Sequence, residues 1–145
     1  MTIPGLTLAP YSNSFRAIFP TGTNYQANGA NNSPDFDFPD WALANFFLDI
    51  SAISGTTVTL DVKFQAKDIV SGTYVDIPLF VITQCTVAQG VQTRMMAVRR
   101  IGAAAAGALV LGEMPLIWRA VATVGSGATP NVTFSLSVQL IRSYD

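Results

Sequence analysis

The chain has 145 residues, half of them hydrophobic and 12% charged, with a net charge of −1 and no histidine. That length suits one domain with a true core, and the small net charge excludes a global electrostatic case for nucleic acid. The absence of imidazole excludes Ser-His-Asp and Cys-His nucleophilic sites, histidine metal sites and imidazole acid–base work.

Residues 1–40 carry five of the eight prolines (Pro4, Pro10, Pro20, Pro34 and Pro39) and the cluster NYQANGANNSPDFDFPD. Asn28-Gly29 and Asn31-Asn32-Ser33-Pro34 are turn signals. Yet Ile3, Leu6, Leu8, Tyr11, Phe15, Ile18 and Phe19 are not the composition of a disordered tail. This stretch predicts an extended, largely irregular arm that needs something to pack against. A β-sandwich domain is expected over residues 41–145.

From Trp41 the pattern becomes β. WALANFFLDIS places Phe46, Leu48 and Ile50 on one face against Phe47 and Asp49 on the other. Ser54-Gly55-Thr56-Thr57 turns the chain. VTLDVKFQAKD then alternates Leu60, Val62 and Phe64 with Asp61, Lys63 and Gln65. A turn over Asp68 to Gly72 precedes TYVDIPLFVI, where Pro78 argues for an edge or a bend. CTVAQGVQTRMMAVR offers two short strands around Ala88-Gln89-Gly90. The small-residue segment 101–112, IGAAAAGALVLG, reads as a loop or a short helix and falls short of a membrane span. MPLIWRAVATV is a strand and Gly125 to Pro130 a turn. NVTFSLSVQLIRS closes the chain, with Val132, Phe134, Leu136, Val138 and Leu140 on one face.

Seven or eight short strands with Gly/Thr/Ser/Pro turns imply an all-β, antiparallel two-sheet sandwich, jelly-roll-like or immunoglobulin-like. TLDVKFQ is echoed by TFSLSVQ at residues 133–139, each after a small-residue turn. The echo suggests two similar hairpins, one in each half, unless two amphipathic strands have simply converged.

The N-terminus has no basic region followed by an apolar core, so no secretion signal is expected. The lone Cys85 suits a reducing compartment such as a bacterial cytoplasm, and its apolar neighbours predict a small core residue. Charge is uneven along the chain. Residues 1–80 hold three cations against seven aspartates; residues 81–145 hold five arginines against Glu113 and Asp145.

No catalytic, cofactor or metal site is expected. Asp35, Asp37 and Asp40 invite a calcium reading but lack the pattern of an EF-hand loop, and an acidic turn is the plainer account. Arg94, Arg99 and Arg100 form the one basic cluster, read either as a contact for an acidic partner or as solvated charge beside a strand. Trp41 and Trp118 are possible sugar-stacking platforms, with core packing expected for Trp118. The small apolar residues of segment 101–112 can pack closely against another backbone or simply flex; if exposed, the segment belongs at an interface.

The run ISAISGTTVTLDVKFQAKDIVSGTYVDIP, followed by VATVGSGATPNVTFSLSVQLI, resembles small tailed-bacteriophage virion proteins. The shared texture is an SGT turn, a TLDVKFQ strand, an SGxYxDIP segment and a C-terminal TFS strand, over roughly residues 46–141. Here the glycine pair of the last turn is interrupted, as Gly125-Ser126-Gly127. The resemblance implies a jelly-roll capsid decoration or cement protein of the Bordetella phage type, binding the capsid exterior and bridging neighbouring major capsid subunits. It implies a virion location after assembly in the host cytoplasm.

The expected partners are therefore the major capsid protein and other copies of the chain, as a dimer or trimer, without direct nucleic acid or membrane contact. The partner-binding candidates are Ile3, Leu6, Leu8, Tyr11 and Phe15 of the arm, Arg94, Arg99 and Arg100, and Leu109 and Leu111. The alternatives are a neck, tail or fibre component, or a carbohydrate-binding sandwich using Trp41 with Tyr25 or Tyr74.

Overall fold

The computed structural model describes residues 13–37, 43–99, 109–111 and 117–141. They form β1 (Asn13–Tyr25), β2 (Gly29–Asn32), β3 (Leu43–Thr56), β4 (Thr59–Lys67), β5 (Tyr74–Thr86), β6 (Gln92–Arg99), β7 (Leu109–Leu111), β8 (Trp118–Gly125) and β9 (Ala128–Ile141). A single 3-10 turn, Val87–Gln89, links β5 to β6. Sheet A has the order β1-β9-β3-β6-β7 and sheet B the order β2-β8-β4-β5. All pairings are antiparallel except β6 with β7, which is parallel.

Setting β7 aside, the pairs β1:β9, β2:β8, β3:β6 and β4:β5 are the successive rungs of one long folded ribbon. Successive rungs lie alternately in sheet A and sheet B, and β3:β9 and β4:β8 seal the roll. That is a jelly roll, an arrangement that closes a β-domain with two interlocked Greek keys.

The alternation that marks β3, β4 and β9 in the sequence becomes the core. Phe46, Leu48 and Ile50 of β3, Leu60, Val62 and Phe64 of β4, and Val132 through Leu140 at every second position of β9 are buried. Phe46, Phe64 and Trp118 pack as a ring cluster, with Phe36 stacked on Trp118 at a centroid distance of 5.2 Å. Phe19, Tyr25 and Phe134 form a second cluster. Cys85 is a buried core residue, as its neighbours implied. Pro78 sits on edge strand β5, inside the register break between Val81 and Asp76, where no ladder hydrogen bond is lost.

Three expectations need correction. First, residues 13–37 are not an irregular arm. β1 lies along β9 and β2 along β8, and Ser33 and Phe36 continue onto β8 by backbone hydrogen bonds to Ala120 and Trp118. The prolines misled because β1 is an edge strand with register breaks between Ala17 and Phe19 and between Phe19 and Thr23. Pro20 falls in the second break, so its missing N–H leaves no gap in the sheet.

Second, the echoing segments are not two hairpins. SGTT carries the chain from β3 in sheet A to β4 in sheet B, and Gly125-Ser126-Gly127 carries it back from β8 in sheet B to β9 in sheet A. The two crossings touch. Thr57 Oγ1 donates to the Ser126 carbonyl at 2.7 Å, and Thr59 Oγ1 donates to that of Gly125 at 3.2 Å. Thr57 (φ 57°) and Ser126 (φ 61°) both take the left-handed conformation there. The echo therefore records one structural demand met twice: a tight sheet-to-sheet crossing followed by a half-buried strand.

Third, the last turn is shorter than expected, because β9 already begins at Ala128 and includes Pro130.

Candidate functional site

Three surfaces differ in chemistry. The outer face of sheet B carries a connected polar network. Lys63 Nζ lies 2.8 Å from Asp76 Oδ2, and Gln65 Nε2 donates to Asp76 Oδ1 at 2.8 Å. Arg119 Nε donates to Gln65 Oε1 at 2.9 Å, and its guanidinium sits 3.5 Å from the Tyr74 ring centroid. Tyr74 donates its hydroxyl proton to Asp35, whose other neighbour, Lys67 Nζ, is 2.8 Å away.

The alternation of β4 sends Lys63, Gln65 and Lys67 outward, and pairing with β5 and β8 brings Asp76, Tyr74 and Arg119 beside them. Hydrogen bonding from Lys67, then from Tyr74, holds the Asp35 carboxyl below the usual aspartate range. Lys63 and Gln65 do the same for Asp76. Lys67 is raised by its bond to Asp35. This face answers its own charges.

The outer face of sheet A is the opposite. Reading outward positions across it, Phe47 of β3 stands opposite Met95 of β6 and Ser137 of β9, while Leu43 stands opposite Ile141. Phe15 of β1 is opposite Gln139 and Ala17 opposite Ser137. Phe15 is 67% exposed and Met95 50%. Across these outward positions from Leu43 to Asp49 and their partners, the ionisable residues are Arg99, which pairs with Leu43, and Asp49. Asp49 lies at one margin and accepts a hydrogen bond from Thr93.

The third surface is one end of the roll. The turn after β4 is fixed by Asp68, which accepts bonds from the Val70 N–H and the Ser71 hydroxyl. Those bonds hold its carboxyl low, that of Ser71 foremost. The turn holds Ile69 and Val70 outward, and Val70 is 96% exposed. Asn13, Ile141, Leu43, Arg99 and Leu111 form one row across sheet A at this same end. Every segment outside the description therefore joins the sandwich here. The opposite end is closed by the crossings around Thr57 and Ser126.

The nominated residues are distributed unevenly over these surfaces. Phe15 lies exposed on the outer face of sheet A. Arg94 is no part of an outward basic cluster. It shares the inner parity of β6 with Met96 and Val98, is half-buried, and donates through Nε to Gln92. Burial raises the Cys85 thiol, and the nearby Arg94 opposes that rise. Arg99, Leu109 and Leu111 are placed by backbone pairing only: Arg99 ends β6 opposite Leu43, and β7 runs beside it. Ile3, Leu6, Leu8, Tyr11, Arg100 and Trp41 lie outside the described residues.

For the carbohydrate alternative, Tyr25 packs against Phe19 and Phe134, and Tyr74 has Arg119 over its ring. Neither is an open stacking platform. Trp118 is buried, in line with its expected core role. Of the acidic turn, Asp35 is engaged by Lys67 and Tyr74, while Asp40 lies outside the description.

Sequence reasoning missed Ile69-Val70, Phe47 with Met95, and the Asp35–Tyr74–Arg119 network. Two apolar residues inside the DIVSG turn were a readable signal for the first. The network joins four distant segments and has no local signature.

No family model matches the sequence, and no curated protein matches it. Among solved structures, the chain aligns with the structure of infectious bursal disease virus Gx strain at 13% identity and a TM-score of 0.26. The alignment covers 97% of this chain and 46% of that chain, so this chain spans less than half of that one. The jelly-roll assignment rests on strand order alone.

Proposed function

We propose that this protein is a non-enzymatic structural component of a virion, a capsid decoration or cement protein. It binds the outer capsid surface and bridges neighbouring major capsid subunits. The observation that carries the reading is the jelly-roll strand order combined with the way its surface is spent. Jelly rolls serve chiefly as capsid, lectin and metal-dependent cupin domains. A metal-dependent site needs imidazoles or clustered carboxylates, and the sequence has no histidine. Of the sugar-stacking candidates, Tyr25 and Tyr74 are engaged by neighbouring side chains, and Trp41 lies outside the described residues. A sandwich whose sheet A face carries Asp49 and Arg99 at its margins and Phe47 and Met95 between them, with an exposed apolar turn, fits an assembly part.

The resemblance of the SGTT–TLDVKFQ and TFSLSVQ segments to phage virion proteins supports the same direction. The attachment tools in this reading are the N-terminal segment 1–12, the Ile69-Val70 turn, the segment around Leu109 and Leu111, and the Arg99-Arg100 pair. Each contact is weak, and repetition over a shell supplies avidity, most effectively from a dimer or trimer.

The test is sedimentation of a lysate from the native source, with the protein quantified in any particle fraction. Co-migration with particles, at a copy number that scales with the capsid subunits, is the expected result. Copies matching a single ring would move the role to the neck or tail. A slow, free species would end the virion reading.

A further inference from the structure

The outer face of sheet A is complementary to itself in both shape and charge. Strands β1, β9, β3 and β6 lie side by side in it, and their outward residues form cross-strand rows. In the row of Asn45, the larger side chains are Phe15 and Gln139, on β1 and β9, and the smaller are Asn45 and Ala97, on β3 and β6. In the next row the sizes are exchanged: Ala17 and Ser137 are small, Phe47 and Met95 large. Each strand therefore sets a large outward residue beside a smaller one, two positions apart. Phe15 and Met95 stand well out into water, an aromatic and a methionine of the kind enriched in interfaces.

Charge follows the same layout. Asp49 ends the face on one side, two residues beyond Phe47, and Arg99 ends it on the other, opposite Leu43. The two rows between them hold no ionisable residue at an outward position. Covering the centre therefore buries no charge.

A two-fold axis in the plane of contact, perpendicular to the strands and midway between the Asn45 and Phe47 rows, sets each strand antiparallel over the same strand of a second copy. Phe47 of each copy then falls over Asn45 of the other, Met95 over Ala97 and Phe15 over Ala17. Every large residue meets a smaller one, which lets facing layers interdigitate. Sheets packed face to face stand ~10 Å apart and stay within about 30° of alignment, so this correspondence holds across the central rows. Asp49 of each copy arrives over the Leu43–Arg99 pair of the other, and opposite charges meet at both margins.

An axis along the strands also sets large against small, but it brings Asp49 of one copy towards Asp49 of the other. Like charges brought together oppose association, so charge selects the first axis. Such a contact is isologous: one patch serves both copies and the assembly closes at two. An unrelated partner does not require a patch that matches itself, whereas a second copy does.

We propose that two copies of this chain pair face to face through the outer surfaces of sheet A, antiparallel across a two-fold between the Asn45 and Phe47 rows, with Asp49 of each copy beside Arg99 of the other. This names a surface for the dimer in the reading above, yet it rests on the face alone. The particle experiment and the one that follows can each fail without the other.

The test is sedimentation equilibrium of the purified full chain over a concentration series at low salt. A monomer–dimer equilibrium is expected. Asp49→Arg and Arg99→Asp should each weaken it at least about tenfold, because each change meets a like charge twice across the two-fold. The double variant Asp49→Arg/Arg99→Asp should recover most of that loss. Met95→Glu, which sets a charge against Ala97, should leave monomer where the unchanged protein is dimeric. Circular dichroism checks the fold of each variant. Met95→Glu and the charge pair are independent, so if one misfolds the other still decides. A chain that stays monomeric, a trimer, or a dimer that Met95→Glu leaves intact overturns the proposal. So do charge variants that associate as the unchanged protein does, or a double variant no tighter than the singles.

Discussion

Replacing Gly55 by alanine should be among the most damaging single-methyl additions to this chain. Gly55 takes φ +114°, and a Cβ built there would stand 2.7 Å from Val58 Cγ2, 2.8 Å from the Thr129 carbonyl oxygen and 2.9 Å from that of Ala128. Two of those three contacts are backbone, so no side-chain rotation relieves them. Overpacking of this kind costs about 1–3 kcal/mol, and forcing an L-residue into positive φ adds about 1–2 kcal/mol. The two strains share one relaxation, a shift of the start of β9, so a combined loss of about 2–4 kcal/mol is expected. For a domain of this size that lowers Tm by about 6–15 °C.

Thermal or urea unfolding followed by circular dichroism measures it. Gly127→Ala is the graded comparison. Its Cβ would meet Val58 Cγ2, with the Thr56 carbonyl oxygen at 3.1 Å. It should lose less, and Val58→Ala in the same chain should recover part of that loss. Gly72→Ala, with nothing within 4 Å of its Cβ, should lose only the conformational part. A Gly55→Ala protein within 0.5 kcal/mol of wild type, roughly the scatter of neutral surface changes, would refute the account of the two interlocked crossings.

Acid should act through the sheet B network. Because Asp35 and Asp76 are held below the usual carboxylate range by Lys67, Tyr74, Lys63 and Gln65, their contribution is present above the unfolded aspartate pKa. It is lost as pH falls through the lower folded values. Tm should therefore be flat near neutrality and fall in acid, with a shallower fall in an Asp35→Asn/Asp76→Asn variant; an unchanged slope would show that the network is not linked to folding. Cys85, buried and with its thiol pushed up by burial, should react with a disulfide reagent roughly a hundredfold more slowly in the native protein than in urea. Equal rates would place it at the surface.

What the sequence disclosed depended on how each strand is made. β3, β4 and β9 are long, pair on both sides and bury one face, so their alternation survives intact and is legible. β1 and β2 are edge strands. The register breaks of β1 shift its inward set, making Ile18 and Phe19 both buried. β2 is the tetrapeptide Gly29–Asn32, which has no strand preference of its own. Its place comes from tertiary pairing, with Asn31 Nδ2 3.4 Å from the Ala122 carbonyl and Asn28 donating to that of Gly127 at 2.8 Å. Propensity could not see this, because the partner strand lies about ninety residues on. Of the three arginines, Arg94 takes the inner parity of β6, so Arg99, five residues on, takes the outer one, and Arg100 lies outside the described residues.

The same ribbon topology accounts for where function can reside. A rolled ribbon has two ends. At one of them Gly55 and Gly127 bring two crossings into backbone contact, which leaves no room for an added side chain at either glycine. The segments between Asp37 and Leu43 and between Arg99 and Ile117 attach at the other end. Loop insertions there add little closure entropy, since each doubling costs only about 0.6 kcal/mol. A chain built this way has one end closed by the two crossings, a polar network on the outer face of sheet B, and the exposed Ile69-Val70 turn at the other end. The proposed attachment role would use that asymmetry, since a protein that meets a repeated surface from one side needs its contacts on one side.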